Sequence, residues 1–387
     1  MGKQYISTVT ASHAHESDIS GVAMTDKYTI SVSSDGYAAF WDNKKDEVHN
    51  PSDSVVKKFI NELGIHHIAA YENIPPESTQ KVVLLAFACF DGSIKFYYYT
   101  NEDLETFQEL DTGSTFKSSF WTPGFYKDPK SKQDMFISTK ANGSAAVYGL
   151  NIKDVEGTIE ITVSDLLGEL HVTVNNAAFP NSLGVSKASD GLVAVGYTSG
   201  DVAVFTLHGL KALFTFHSTD LQVAENIGSS SVPRVLEFSP GGTLLAVARD
   251  NQSAGSITLY DVEYGENVGS LTTSSHSTKT TVGGFAHDGW IMGLDFNTDG
   301  SLLASCGFDK CIRVWNLETR EREATLQVNV TDLENTEYDG DIDSSVCSGV
   351  AFIDRGVRAG AGGDSNEGLC VVSFDRGIRW YREAGGI

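Results

Sequence analysis

Short apolar stretches alternate with polar turn clusters along the chain. "WIMGLDF" (290–296), "SLLASCG" (301–307) and "CIRVWN" (311–316) follow one another, with "TDG" and "FDK" among the residues between them. Each run is strand-length, and Ile312-Arg313-Val314-Trp315 alternates as a strand does. "TLLAVAR" (243–249) sits behind the turn "SPGG" (239–242) in the same way. No sustained helical apolar period appears, so the pattern predicts strands throughout and no long amphipathic helix.

The grouping recurs along the whole length. "SVSSDGYAAFWD" (31–42), "FACFDGSIKFYY" (87–98), "STKANGSAAVYG" (138–149), "VGYTSGDVAVFT" (195–206), "NQSAGSITLYD" (251–261), "ASCGFDKCIRVWN" (304–316) and "VVSFDRGIRWYR" (371–382) share one frame. An aromatic residue fills the same position in each: Trp41, Tyr97, Tyr148, Phe205, Tyr260, Trp315 and Tyr381. The spacings are 56, 51, 57, 55, 55 and 66 residues. Six residues before each aromatic lies a small turn-forming position: Asp35, Asp91, Asn142, Ser199, Ala254, Asp309 and Asp375. Asp and Asn suit tight turns because their side chains bond nearby backbone amides.

Three strands are legible per unit, and a fourth fits the remaining residues. Seven such units predict an all-β, seven-bladed β-propeller over 1–387 as one domain, with repeat ends near 42, 98, 149, 206, 261, 316 and 382. One unit cannot bury both faces alone, so blade packing on blade makes the core.

The Trp-Asp ending with an upstream His resembles the WD40 repeat. In that family a His, a Ser, the turn Asp and the Trp form a buried hydrogen-bonded set. The resemblance implies His15, Ser33, Asp35 and Trp41 for blade 1. For blade 6 it implies His287, Asp309 and Trp315, with Gly307 in place of the Ser. In WD propellers an N-terminal strand completes the last blade. "QYISTVTAS" (4–12) alternates suitably, and "WYREAGGI" leaves no room for a fourth strand after it. Closure of this kind removes two aggregation-prone edges.

A narrower resemblance rests on "AHESDISGVAMTDKYTISVSSDGYAAFWDN", "FSPGGTLLAVARDNQSAGSITLYDVEYGENVGSL", "FAHDGWIMGLDFN" and "CVVSFDRGIRWYREAGG". Together these are similar to the WD-repeat subunits of fungal superkiller (Ski) complexes. The resemblance implies a non-enzymatic scaffold joining an RNA helicase and a large TPR-repeat protein. That complex feeds RNA to the cytoplasmic exosome for 3′-to-5′ decay. The resemblance also implies a second role in meiotic recombination, with a break-forming protein as partner. The alternative is a generic WD40 adaptor or substrate receptor of another complex.

Charge and chemistry narrow the classes. Net charge is −23, a field that repels phosphate backbones, so direct nucleic-acid binding is not expected. The longest apolar run, "VVLLAFACF" (82–90), is too short to span a bilayer. There is no apolar leader and no myristoylation pattern, since Ile6 stands where Ser or Thr is needed. The five cysteines show no disulfide spacing, which fits a reducing cytoplasmic compartment, with nuclear residence also expected from the family. Cys306 and Cys311 lack a second pair at zinc spacing and read as small apolar residues, neighbours across a hairpin. His13, His15 and Glu16 do not follow a metal-binding spacing. His66-His67 reads as loop or surface. "GAGGDSNEG" (360–368) lacks a phosphate-binding frame and reads as a loop. "TDLENTEYDGDIDSS" (331–345), with six acids and no base, reads as a solvated loop. No cofactor, metal or small-molecule substrate is implied.

One constellation points to a partner. In WD propellers the loop entering each blade's first strand lies on the narrower top face. The residue before that strand faces the central opening. Alignment on "HxxxI" places Asp18 and Trp290 there; a looser alignment adds His67, Trp121, Val232 and Val346, with Arg234 adjacent. Exposed Trp is typical of interface anchors. An enzymatic propeller needs titratable groups converging at one mouth, and Asp18 and His67 are scattered candidates.

Overall fold

The computed structural model describes residues 3–43, 51–129, 133–172, 178–188, 190–217, 231–251, 253–273, 284–333, 344–354 and 367–384. Its sheets are seven four-stranded antiparallel blades. The chain opens with β1 (Gln4–Ala11). Blade 1 is β2 (Ile19–Met24), β3 (Tyr28–Ser33), β4 (Tyr37–Asp42) and β5 (Val56–Phe59). Blade 2 is β6 (Ile65–Asn73), β7 (Val82–Cys89), β8 (Ile94–Thr100) and β9 (Asp103–Glu109). Blade 3 is β10 (Phe120–Tyr126), β11 (Asp134–Lys140), β12 (Ala145–Val155) and β13 (Thr158–Leu170). Blade 4 is β14 (Pro180–Val185), β15 (Leu192–Tyr197), β16 (Val202–Thr206) and β17 (Lys211–Phe216). Blade 5 is β18 (Pro233–Phe238), β19 (Leu244–Asn251), β20 (Ala254–Asp261) and β21 (Glu266–Leu271). Blade 6 is β22 (Ile291–Phe296), β23 (Leu302–Gly307), β24 (Cys311–Asn316) and β25 (Arg322–Gln327). Blade 7 is β26 (Cys347–Ile353), β27 (Gly368–Ser373) and β28 (Ile378–Ala384). Its fourth strand is β1, which pairs with β28 from Gln4↔Ala384 to Ala11↔Ile378, so the N-terminal strand closes the ring.

Burial explains the strand sequences. Second strands such as β7 and β23 are buried at every position, because neighbouring blades cover both faces; they therefore read as continuous apolar runs. Outer strands such as β5 are largely exposed. Cores form between blades: Trp41 of blade 1 meets Trp380 of blade 7 edge-on at 5.6 Å.

Blade 3 departs from the common size. β12 and β13 pair from Ala145↔Leu170 down to Val155↔Thr158. The far end of this hairpin lies on blade 2, where Gln80 Nε2 donates to the Gly157 carbonyl at 2.9 Å and Ile152 and Ile161 share a core with Tyr71.

The buried hydrogen-bonded set differs from expectation in its Ser. Trp41 Nε1 donates to Ser31 Oγ at 3.0 Å, and His15 Nε2 lies 2.9 Å from the same oxygen. Ser33 instead accepts from the Asp35 amide. In blade 6 the Ser is also present, as Ser305: Trp315 Nε1 donates to it at 2.9 Å and His287 Nε2 lies 2.7 Å away. The indole reaches a residue two along from its own cross-strand neighbour, which is Ser31 or Ser305 and not the strand's last residue. Gly307 has another cause, since a Cβ there would stand 2.1 Å from the Trp290 carbonyl oxygen.

Other blades rebuild the set. Asn61 Nδ2 replaces the His and donates to Asp91 at 3.0 Å. Phe116 fills the place in blade 3, packed on Tyr148 at 4.8 Å. Fully buried Arg379 does so in blade 7, bonding Ser373 at 2.7 Å and Asp375 at 2.6 Å. Blade 5 breaks the frame: Ala254 is not in a turn but begins β20, paired with Asn251 across a shorter hairpin. The cysteines are free. Cys306 pairs across the ladder with Ile312, and Cys311 pairs with Gln327 of β25, so the two thiols are not cross-strand partners. Cys306 Sγ points instead to the Cys347 carbonyl in blade 7, at 3.7 Å. Most of the acidic run and of the Gly-rich stretch lies outside the described residues.

Candidate partner-binding face

Every blade begins with the same irregularity. The register slips after the first residue of β2, β6, β10, β14, β18, β22 and β26. The residues set free are Ser20, His66, Trp121, Asn181, Arg234, Met292 and Ser348. A bulge re-aims a side chain without ending the ladder. All seven line one central cavity of about 520 Å³, together with Asp18, His67 and Phe374.

A second regularity builds the rim. In six blades the residue after the second strand, and in blade 5 Asp250 near that strand's end, donates its amide to the carbonyl of the residue before the first strand. The pairs are Ser34→Asp18, Phe90→Gly64, Ala141→Ser119, Thr198→Phe179, Asp250→Val232, Phe308→Trp290 and Phe374→Val346. Two side-chain rings therefore crowd the same end of the channel.

Two aromatic groups stand there. His66 stacks on Trp121 at 4.0 Å, Phe90 lies 5.1 Å from His66, and Phe179 lies 5.5 Å from Trp121. Opposite, the Arg234 guanidinium sits 4.7 Å over Trp290, which meets Phe308 at 5.4 Å; Phe308 meets Phe374 at 6.2 Å. Arg234 is itself held by Asp250, with Nε 2.9 Å from Oδ2. A guanidinium fixed on an indole face keeps both planes in place. Phe90, Phe308 and Trp290 remain 52%, 39% and 37% exposed.

The looser alignment mixed three frames. Asp18, Val232, Trp290 and Val346 do precede first strands, as expected. Trp121 and Arg234 occupy the bulge, and His67 lies one residue beyond it. The bulge brings these side chains to one cavity despite the offset. Trp290 stands at the rim over Arg234 and Phe308, and Val346 contributes its carbonyl to Phe374. His66 is neither loop nor surface: it lies in β6, 7% exposed. Phe90, Phe308 and Phe374 were missed. Their signal was the Phe immediately before the turn Asp in "CFDG", "GFDK" and "SFDR".

Electrostatics keep this mouth weakly charged. His66 Nε2 donates to the Cys89 carbonyl at 3.1 Å, so its Nδ1 lone pair accepts from His67 Nδ1, 2.6 Å away. Burial pushes the His66 imidazole down to about 4 and that of His67 to about 3. Burial raises the Asp18 carboxyl, with Arg376 opposing it. As pH falls below about 6.5 the unfolded chain binds protons that folded His66 and His67 refuse, so stability drops between about pH 6.5 and 4. Melting temperatures at about pH 7 and about pH 5 test this: the loss should be smaller in His66→Gln/His67→Gln than in the wild type.

Comparison with known proteins agrees with the fold. The profile of the WD domain, G-beta repeat family matches residues 277–316. Human apoptotic protease-activating factor 1 is 32% identical over 33% of this chain and 9% of its own. WD repeat-containing protein 1 of Xenopus tropicalis is 31% identical over 26% of this chain and 14% of its own. The yeast antiviral protein SKI8 is 36% identical over 100% of both chains. The seven blades, the repeat match and this end-to-end likeness place the chain in the WD-repeat family of SKI8, the fungal Ski WD-repeat subunits.

Proposed function

We propose that this chain is a non-enzymatic scaffold subunit of a superkiller complex, assisting 3′-to-5′ RNA decay by the cytoplasmic exosome. Its partners in this reading are a TPR-repeat protein and an RNA helicase. A second role in meiotic recombination, in the nucleus, belongs to the same proposal. The observation that carries it is the pair of aromatic groups at one channel mouth, braced by Arg234. Exposed, rigidly held aromatics beside Arg are the composition of an interface anchor. The groups lining the mouth are committed to positioning one another: Arg234 serves Asp250, and His66 serves Cys89 and His67. That supports binding over chemistry.

Affinity purification with mass spectrometry tests the assignment, with the helicase and TPR protein expected. Their absence, with another complex recovered, would favour a generic WD40 adaptor. Trp290→Ala and Trp121→Ala should each fold and weaken partner binding by about 2 kcal/mol, roughly thirtyfold. Calorimetry with the recovered partner reads this, and unchanged affinity in both variants would misplace the face. RNA alone should give no salt-dependent shift.

A further inference from the structure

The seven outer strands differ in charge. β9 and β13 each carry three acids and no base, whereas β5 carries Lys57 and Lys58 and no acid. Lys95 and Lys140 each meet a carboxylate at 2.9 Å. Neither Lys57 nor Lys58 meets one among the described residues, in a chain of net charge −23.

β5 is the free edge of blade 1. Its register against β4 is Tyr37↔Phe59, Ala38↔Lys58, Ala39↔Lys57 and Phe40↔Val56. Phe59 and Lys57 therefore share the face of Tyr37 and Trp41, which looks toward blade 7. Lys58 looks toward blade 2, over the Phe107 ring at 5.5 Å. Phe59 and Tyr37 are 53% and 39% exposed with their rings 5.3 Å apart, and Val56 is 36% exposed.

Lysines on a short edge strand guard it against stray pairing. An exposed aromatic pair beside them works against such guarding. Edge amides, two cations that meet no carboxylate among the described residues, and flanking apolar side chains are the parts of a strand-addition site. We propose that β5 is a second docking edge, which takes an extended acidic segment of another protein. Read against "VKKF", the complementary strand is apolar-acidic-acidic-apolar: each acid opposes a lysine, and the apolar ends oppose Val56 and Phe59. This surface lies on the outer edge of blade 1, separate from the channel mouth, and it does not depend on the partner assigned there.

Fluorescence anisotropy with two labelled peptides tests it, one centred on Phe-Glu-Glu-Val and one on Phe-Lys-Lys-Val. The wild type should bind the acidic peptide about tenfold or more tighter, with affinity falling as salt rises. Lys57→Glu/Lys58→Glu should reverse the preference, and Phe59→Ser should weaken the acidic peptide without reversal. Lys57 and Phe59 are exposed and Lys58 is half-buried, and a thermal melt verifies folding. Hydrogen exchange on the wild type, independent of any variant, should show peptide protection at residues 56–59. Equal affinity for the two peptides, indifference to charge reversal, or protection at the channel mouth instead would overturn the proposal. Self-association abolished by Lys57→Glu/Lys58→Glu would name a second copy as the occupant and overturn it too.

Discussion

Deleting residues 1–12 is expected to leave no folded monomer. β1 is the outer strand of blade 7, aligned with β28 at seven positions. Tyr5 and Ala11 are buried, Tyr5 in the core it shares with Leu369 and Tyr381. Truncating one buried aromatic costs about 3–5 kcal/mol, and the ladder hydrogen bonds add to that. Domains hold about 5–15 kcal/mol in total. The deletion also turns β28 into an open edge next to Trp380, a template for aggregation. Light scattering after size exclusion should show aggregate, and a synthetic peptide of residues 1–12 should restore a melting transition. A truncated monomer that melts like the full chain would mean closure is dispensable.

Asp309→Ala should lower stability by about 3–5 kcal/mol, the usual loss when one member of a buried ionic group is removed. The carboxylate lies 2.9 Å from His287 Nδ1 and 2.5 Å from Arg313 Nη1, and it accepts from the Asp288 and Cys311 amides. His287 in turn positions Ser305 under Trp315, so the loss spreads into the core between blades 5 and 6. Burial alone would raise the Asp309 carboxyl, but the hydrogen bonds and charges of His287 and Arg313 outweigh it and hold it down at about 2. A depressed carboxyl stabilises above its unfolded value, near 3.8, and the benefit fades as pH falls toward 2. Asp309→Asn keeps the acceptor for the turn amides and should lose less, as Asn142 serves the equivalent turn in blade 3. Chemical denaturation of the three proteins at about pH 7 and about pH 3 checks both points; the gap between wild type and Asp309→Asn should narrow at the lower pH.

The blades were legible because burial on both faces writes apolar runs into second and third strands. Turn carboxylates also mark the hairpins at four of seven positions, and Asn142 and Ser199 mark two more. Ala254 escaped because a shorter hairpin slides the frame, which no spacing rule detects. The Ser of the buried set was misplaced by two residues: Ser31 and Ser33 are both serine on one face, and only the reach of the indole separates them. The candidate face was half legible. Trp290 and Asp18 follow from the pattern before the first strand. The bulge that turns His66, Trp121 and Arg234 into the channel leaves no mark in hydrophobic period, because the first strands already mix polar and apolar residues, as in "IHHIAAYEN" and "PRVLEF".

That bulge has an evolutionary consequence. Each blade turns one side chain into the channel at its bulge, so Ser20, His66, Trp121, Asn181, Arg234, Met292 and Ser348 form a seven-letter word written on a repeated frame. A lineage can respell the word one letter at a time, changing the chemistry of the channel mouth while its strands keep their pairing. Change at the mouth and upkeep of the fold are thereby uncoupled within each repeat.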